Sequence, residues 1–220
     1  MLVDIGNGAL LEGDPIGALQ SLNQAETQDH QLPELHHSKA LAYYARKDLA
    51  SAVQSAKKAI EIKPNYSDAN NTLGKLLLDL GKDQEAMAPL TLAANDPTYR
   101  ESYKAWTNLG ILKFNRGEYV QSEFYFSRAI LDSPLQACIA YYYRGQIKTK
   151  ELKLNDAIQD YTQATKKLCA RFGDARLALG TALQKNRQYD DARKTFLEIQ
   201  KLYPNTKLAE QALDYLKYLP

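Results

Sequence analysis

Three evenly spaced alanines constrain this sequence more than any other feature. Ala18, Ala52 and Ala86 follow one another at equal intervals along the chain. A second series of small residues recurs at steps of 36, 35 and 35, namely Gly74, Gly110, Gly145 and Gly180. A period of about 34 residues is typical of helix–turn–helix repeats stacked into a solenoid. Such a chain is expected to present a long surface to another protein and to lack a catalytic pocket.

Charge and hydropathy exclude two classes of protein. The formal net charge is +2, and no run of Lys or Arg exceeds two residues, so the clustered basic surface of a nucleic-acid binder is not expected. The paired basic residues Lys57-Lys58 and Lys166-Lys167 fall on predicted helices with acids nearby. No stretch approaches the roughly 18 apolar residues of a membrane span. Residues 1–14 lack the features of a signal peptide, which indicates a cytosolic protein or a mature chain whose targeting segment has been removed.

Six helical units and a last helix account for the whole sequence. The predicted units span about 1–32, 33–66, 67–102, 103–137, 138–172 and 173–206, and an amphipathic cap helix follows at 207–219. We therefore predict an all-α, right-handed superhelical solenoid that forms one domain over residues 1–220. In the first unit, Asp14-Pro15 and Gly17 predict a second helix that starts poorly and a frayed repeat.

The residue pattern inside the units resembles the tetratricopeptide repeat family over nearly the whole chain. The fourth unit matches the family consensus at Trp106, Leu109-Gly110, Gly117-Glu118-Tyr119, Ala129 and Pro134. The sixth unit matches it at Gly180, Tyr189, Ala192, Phe196 and Pro204. Small residues let the two helices of a unit approach closely, and the prolines end second helices because proline cannot continue the hydrogen-bond ladder.

A narrower resemblance rests on the six units, the cap helix and the extended junction after the third unit. The segment Ala94–Gly110, ANDPTYRESYKAWTNLG, resembles the type IV pilus biogenesis lipoproteins of the PilW/PilF/Tgl class, the pilotins of the pilus secretin. This resemblance implies a lipoprotein at the periplasmic face of the bacterial outer membrane that binds secretin subunits and promotes their assembly. The sequence shows neither a signal peptide nor a lipidated cysteine near its start, so the membrane anchor is expected to lie outside it.

The two cysteines, Cys138 and Cys169, allow two interpretations. Cys138 opens the first helix of the fifth unit, and Cys169 is expected to close its second helix, so the two lie side by side in an antiparallel hairpin. A disulfide there fits an oxidising compartment such as the one that the resemblance implies. The alternative is two independent buried thiols, since free cysteine is a common small core residue.

Nothing in the sequence predicts an enzyme, a metal site or a cofactor. The three histidines, His30, His36 and His37, do not supply three or four convergent ligands, so a shared metal ion is not expected. The cysteines lie over 100 positions from the histidines, which argues against a Cys-His pair. The glycines are spaced by packing and form no phosphate-binding loop.

We predict a partner-binding groove on the first helices of the units. The predicted groove residues are Leu41, Tyr44, Asn71, Lys75, Leu78, Thr107, Ile111, Phe114, Asn115, Tyr142, Gln146, Leu177 and Thr181. An exposed strip of apolar and aromatic side chains flanked by amides is suited to docking a peptide or a helix. The alternative is that the superhelix or the cap helix covers these side chains.

Three functional hypotheses follow, and none of them involves nucleic acid. The leading one is a monomeric periplasmic pilotin that assists secretin assembly in type IV pilus biogenesis. The second is a cytosolic scaffold or co-chaperone that clamps acidic peptide tails, for which Asn71, Lys75, Lys104 and Asn108 supply fragments of a binding set. The third is a repeat domain that recruits a hydrolase at the cell envelope.

Overall fold

The computed structural model describes all 220 residues as α-helices and short loops, without a β-strand. The helices are α1 Leu2–Leu11, α2 Pro15–Gln28, α3 Pro33–Ala45, α4 Leu49–Ile62, α5 Ser67–Asp79, α6 Asp83–Ala94, α7 Ser102–Asn115, α8 Tyr119–Asp132, α9 Cys138–Lys150, α10 Leu154–Gln163, α11 Gly173–Lys185, α12 Tyr189–Leu202 and α13 Lys207–Lys217. The predicted all-α class and the six consecutive helix pairs are confirmed. Packing divides the chain into two compact halves, an N-terminal half Met1–Leu112 and a C-terminal half Lys113–Pro220. That all six pairs form one domain stays a prediction.

A short loop of the same length joins the two helices of every pair, and its middle residue always has a positive φ. Gly13, Gly81 and Gly117 occupy this position in three pairs, as expected for a left-handed backbone conformation. The other three pairs place Lys47, Leu152 and Arg187 there, with φ between 60° and 63°. The same turn therefore forms whether or not glycine is present, because the packing of the two helices imposes it.

Within four of the pairs, a glycine on the first helix lies against a large side chain on the second helix. These contacts are Gly6–Leu22, Gly74–Leu90, Gly145–Tyr161 and Gly180–Phe196, with the same spacing along the sequence in each. A Cβ added at any of these glycines would come closer than 3.0 Å to its neighbour, a separation that real Cβ atoms essentially never show. The absent side chain is therefore what lets the two helices pack closely.

The second helix of the first pair begins well, so the prediction of a frayed repeat is wrong. Asp14 is the N-cap of α2, and its carboxylate accepts hydrogen bonds from the backbone N–H groups of Ile16 and Gly17. Pro15 occupies the first helical position, where its missing N–H costs nothing and its fixed φ suits the helix. The Asp-Pro pair that suggested a break therefore starts the helix.

The last helix covers the end of the C-terminal half. Helix α13 packs against α12 and α11, and its Leu208, Ala212 and Leu216 join a core with the buried side chains of Phe196 and Ile199. Its outer face is polar and carries the exposed side chains of Lys207, Glu210 and Asp214, as the predicted cap requires.

The second helix of the fifth pair is shorter than predicted. It ends at Gln163, and Cys169 lies in a separate 3₁₀ turn at Lys167–Cys169 rather than at the end of the helix. A disulfide joins Cys138 to Cys169, whose Cα atoms are 5.5 Å apart. The pair Lys166-Lys167 is therefore not on an α-helix, and no Asp or Glu occurs between Asp160 and Asp174.

The glycine contacts predict opposite effects for two glycine-to-alanine substitutions. Gly145→Ala places a methyl group against the Tyr161 ring and should lower the free energy of unfolding by about 1–3 kcal/mol. Gly8→Ala is the control, because Gly8 is also helical but has open space at its Cβ position, so alanine should be neutral or stabilising by up to about 1 kcal/mol. Urea unfolding followed by circular dichroism measures both effects. Equal effects of the two substitutions would contradict the glycine contact.

Candidate functional site

The N-terminal half contains an open pocket of about 270 Å³ between the first helices α3 and α5 and the start of α7. Its lining residues are His37, Leu41, Tyr44, Asp68, Asn71, Thr72, Lys75, Leu76, Tyr99, Glu101 and Lys104. We call it the N-terminal pocket. Four predicted groove residues are among its lining residues: Leu41, Tyr44, Asn71 and Lys75. The structure thus brings these four together on one surface.

One wall of the N-terminal pocket combines an apolar, an aromatic and a charged side chain. Leu41 is 36% exposed. The Lys75 Nζ lies 5.1 Å from the centre of the Tyr44 ring and donates a hydrogen bond of 2.9 Å to Asp79. Burial lowers the pKa of Lys75, but the hydrogen bonds with Tyr44 and Asp79 outweigh it and leave that pKa raised. The ammonium group therefore stays charged and is held against the ring.

Helix α3 also places a half-buried histidine, His37, in the pocket lining, with two hydrogen-bond partners. The His37 Nε2 lies 2.9 Å from the Thr72 hydroxyl, and its Nδ1 lies 3.4 Å from the hydroxyl of Tyr66. Burial lowers the pKa of His37, although the negative charges of Asp68 and Glu34 oppose this effect. The imidazole is consequently neutral at pH 7, and the pocket gains no positive charge from it.

The segment before α7 closes one side of the pocket. Burial raises the pKa of Tyr99, and the nearby carboxylate of Asp68 raises it further, so this phenol stays protonated and can donate a hydrogen bond. The Lys104 Nζ lies 2.5 Å from a carboxylate oxygen of Glu101. Both pocket lysines, Lys75 and Lys104, therefore face a carboxylate.

The amide of Asn71, which lines the pocket, is paired with the amide of Asn108. The Asn108 Nδ2 donates a hydrogen bond of 2.9 Å to the Oδ1 of Asn71, and both side chains are buried. This contact fixes the orientation of the Asn71 amide, which lines the pocket. Both residues belong to the alternative binding set that the sequence suggested for acidic tails.

The C-terminal half contains another pocket, of about 220 Å³, between α9 and α11. The predicted groove residues Tyr142, Leu177 and Thr181 line it. The Tyr142 ring also packs against Tyr161 and Phe172, with ring centres 6.1 and 5.1 Å away. This tyrosine therefore contributes to the packing of the C-terminal half as well as to the pocket wall.

The other predicted groove residues, Leu78, Thr107, Ile111, Phe114, Asn115 and Gln146, line neither of these two pockets. Thr107 is buried, and its hydroxyl donates a hydrogen bond to the backbone oxygen of Tyr103. The Phe114 ring contacts Tyr119 and Tyr143 edge-on, at 5.5 and 5.0 Å. Structural packing thus already uses part of their surface.

Several residues of the N-terminal pocket were not predicted from the sequence, namely Asp68, Thr72, Leu76, Tyr99 and Glu101. Two of them, Tyr99 and Glu101, belong to the junction after the third unit, which was recognised only as an insertion. The Asp96 carboxylate organises this junction by accepting hydrogen bonds from the backbone N–H and hydroxyl of Thr98 and from the hydroxyl of Ser67. The Asp-Pro-Thr pattern was the available signal, because it is typical of a turn stabilised by an aspartate side chain.

Neither a metal centre nor a membrane-spanning helix is present. No group of three or more His, Cys, Asp or Glu side chains is placed to hold a metal ion. None of the helices combines the length and the apolar character needed to cross a bilayer.

Comparison with known proteins relates the chain to repeat proteins. Three family models described as tetratricopeptide repeat match residues 33–66, 55–88 and 150–206, together about half of the chain. The chain is 27% identical over 125 residues to the TPR repeat-containing protein YpiA of Bacillus subtilis, a match that covers 55% of this chain but 28% of YpiA. It is 24% identical over 208 residues to the type IV pilus assembly protein PilF of Pseudomonas aeruginosa, covering 93% of this chain and 80% of PilF.

Solved structures of related fold cover nearly the whole chain. PilW, titled a widely conserved type IV pilus biogenesis factor, superposes with a TM-score of 0.83 at 22% identity over 96% of both chains. PilF of Pseudomonas aeruginosa gives a TM-score of 0.81 at 19% identity, covering 97% of this chain and 96% of PilF. The Cut9–Hcn1 structure of the APC/C gives a TM-score of 0.83 at 17% identity, and the match covers 99% of this chain and 42% of the matched chain.

The lowered pKa of His37 predicts a pH-dependent loss of stability. Below the ordinary pKa of 6.5 the unfolded chain binds a proton that folded His37 does not, so the free energy of unfolding falls as pH decreases through this value. The free energy of unfolding stops falling once the pH is below the pKa of folded His37. His37→Gln removes this contribution, so the variant should lose less stability than the wild type between about pH 7.5 and about pH 5.

Urea unfolding at both pH values measures this difference. The control is His30→Gln, because the His30 side chain is exposed. An identical pH dependence for the wild type and His37→Gln would contradict the neutral state of the half-buried His37.

Proposed function

We propose, on the premise that this chain belongs to the tetratricopeptide repeat family, that it is a non-catalytic module that binds a segment of another protein. More specifically, we propose a monomeric pilotin that binds secretin subunits and assists their assembly in type IV pilus biogenesis. Its site of action is then the periplasmic face of the bacterial outer membrane, where a lipid anchor outside this sequence holds it. The observation that carries this proposal is the similarity to PilF over 93% of the chain.

The N-terminal pocket supports binding of a segment with an apolar side chain. Leu41, which is 36% exposed, provides an apolar surface, and the Tyr44 ring adds an aromatic one. The Asn71 amide can exchange hydrogen bonds with a peptide backbone while a side chain of the guest enters the pocket. A volume of about 270 Å³ is enough for one or two side chains, so the rest of the guest segment lies along the surface.

The charges around this pocket argue against the second hypothesis, a clamp for acidic tails. Such a clamp needs lysines that are free to meet the carboxylates of the guest. Here the Lys75 Nζ lies 2.9 Å from Asp79, and the Lys104 Nζ lies 2.5 Å from Glu101. An acidic tail would have to displace these carboxylates, so an apolar guest segment is favoured.

The disulfide between Cys138 and Cys169 supports the proposed compartment. Disulfides persist in oxidising environments such as the bacterial periplasm and are rare in the cytosol. This bond joins two cysteines 31 positions apart, one at the start of α9 and the other in the 3₁₀ turn after α10. It fits an envelope protein better than a cytosolic scaffold.

Substitutions in the N-terminal pocket should weaken capture of a secretin subunit. The double variant Leu41→Ala, Tyr44→Ala removes an exposed leucine and an aromatic side chain, and the loss of such anchors typically costs about 2 kcal/mol or more each, roughly 30-fold in Kd. The matched control is Leu80→Ala, an exposed leucine of the same half that does not line the pocket. Co-purification with a secretin subunit, followed by a titration, measures the change.

Thermal unfolding of each variant separates a binding defect from unfolding. If the double variant captured the secretin subunit as well as the wild type does, the N-terminal pocket would not be the binding site. Normal secretin multimers in a deletion strain would overturn the pilotin function itself.

A further inference from the structure

The C-terminal half carries an exposed surface that the proposed function does not use. It is formed by residues 133–139, which precede and begin α9, and residues 164–172, which follow α10. The disulfide between Cys138 and Cys169 joins the two segments, and the Cys169 Sγ lies 3.7 Å from the backbone oxygen of Leu135. We call this surface the basic tip.

Leucines project from the basic tip into solvent. Leu168 is 69% exposed and Leu135 is 50% exposed. Leu135, Lys166 and Lys167 line a shared depression of about 210 Å³, which places the exposed leucine of one segment beside the lysines of the other. A large apolar side chain that is this exposed gains little from folding, because most of its surface stays in water.

All the charges on the basic tip are positive. Lys166, Lys167 and Arg171 are exposed, and none of them forms an ion pair. No Asp or Glu occurs between Asp132 and Glu151 or between Asp160 and Asp174, so neither segment contains a carboxylate. The basic tip is thus a local concentration of cations on a chain whose net charge is only +2.

Other basic side chains of the C-terminal half do face carboxylates. The residues concerned are Arg144, Lys148 and Arg176, which pair with Asp160, Glu123 and Glu198. The three cations of the basic tip have no such carboxylate partner.

The backbone on both sides of Leu168 is constrained. Lys167 has a φ of 51°, a conformation that residues with a side chain rarely adopt. The Arg176 Nη2 donates a hydrogen bond of 2.8 Å to the backbone oxygen of Ala170, and the disulfide fixes the neighbouring Cys169. Leu168 is therefore presented from a constrained turn, which lowers the entropy lost when it contacts a partner.

We propose that the basic tip contacts the surface of an anionic phospholipid bilayer. Leu168 and Leu135 enter the headgroup layer, and Lys166, Lys167 and Arg171 lie against the negatively charged headgroups. Exposed apolar side chains flanked by lysine and arginine suit the interface between headgroups and acyl chains. The unpaired cations and the absence of carboxylates supply the charge complementarity.

A bilayer suits this surface better than an acidic protein does. A stable protein interface buries roughly 800 Å² on each partner around an apolar centre. The basic tip instead offers two leucines with long, flexible cations around them, which match a diffuse layer of phosphate groups.

This inference stands independently of the proposed secretin binding. A membrane tether would strengthen the contact by raising the effective concentration of the basic tip at the surface.

Sedimentation with phosphatidylglycerol vesicles tests the proposal on the full chain with its disulfide intact, at about 20 mM salt where screening is weak. The test variant is Lys166→Gln, Lys167→Gln, Arg171→Gln. Each cation near an anionic surface contributes about fivefold to partitioning, so the triple variant should lose roughly 100-fold. Vesicles of phosphatidylcholine alone should not bind the wild type.

The matched control is Arg46→Gln, Lys47→Gln, Lys57→Gln. These three cations of the N-terminal half are also exposed, and Lys47, like Lys167, has a positive φ. This variant has the same net charge as the test variant and should change partitioning by no more than about threefold. Equal losses in the two triple variants would overturn the proposal, because binding would then follow net charge alone.

Leu168→Trp reports insertion directly. The tryptophan fluorescence of this variant should shift to shorter wavelength when phosphatidylglycerol vesicles are added. The one native tryptophan, Trp106, is buried and gives a constant background. Polyglutamate serves as an acidic polymer without a bilayer. Binding to polyglutamate as tight as to vesicles, or an emission that does not move on vesicles, would assign the basic tip to an acidic protein instead. Circular dichroism checks that each variant is folded.

Discussion

Close contact between a glycine and a large side chain is the interaction on which this architecture depends. In four helix pairs the glycine of the first helix faces a leucine, tyrosine or phenylalanine of the second helix. Without a Cβ on one side, a bulky side chain fills the space between the helices and gains dispersion contacts along its whole length. The distance between the helices is then fixed, and the short turn must adopt one conformation. Leu152 and Arg187, in the pairs of Gly145 and Gly180, adopt it although glycine would do so more easily.

A fixed hairpin geometry places the first helices so that their side chains can form a binding surface. In the N-terminal half, α3 and α5 lie so that Leu41 and Tyr44 line an open pocket together with Asn71. The charges of this pocket are balanced internally, because its lysines face carboxylates and its histidine is neutral. Recognition there depends on apolar contacts and hydrogen bonds, whereas the basic tip of the C-terminal half offers unpaired cations. The two surfaces therefore favour chemically different partners.

Local patterns predicted the helices well, and the errors have identifiable physical causes. The pair Asp14-Pro15 was interpreted as a helix breaker, but aspartate before proline is also the preferred start of a helix, and the capping hydrogen bonds decide between the two. The segment after Gln163 was predicted to stay helical up to Cys169. Nothing in its composition forbids a helix, and the structure instead holds it with the disulfide and with the hydrogen bond from Arg176. Long-range contacts therefore determine the conformation of this segment.

The sequence by itself determined the repeat period, the order of the helices and the positions of the small residues, because these follow from spacing along the chain. The tertiary structure alone decided which of the groove residues share a pocket. Leu41, Asn71 and Tyr99 lie far apart in the sequence, and only the packing of α3, α5 and the junction before α7 brings them together. It also decided which cations are neutralised, since ion pairing depends on where distant carboxylates lie. Distances across a fold are not encoded in the local pattern, so only the packed chain sets these properties.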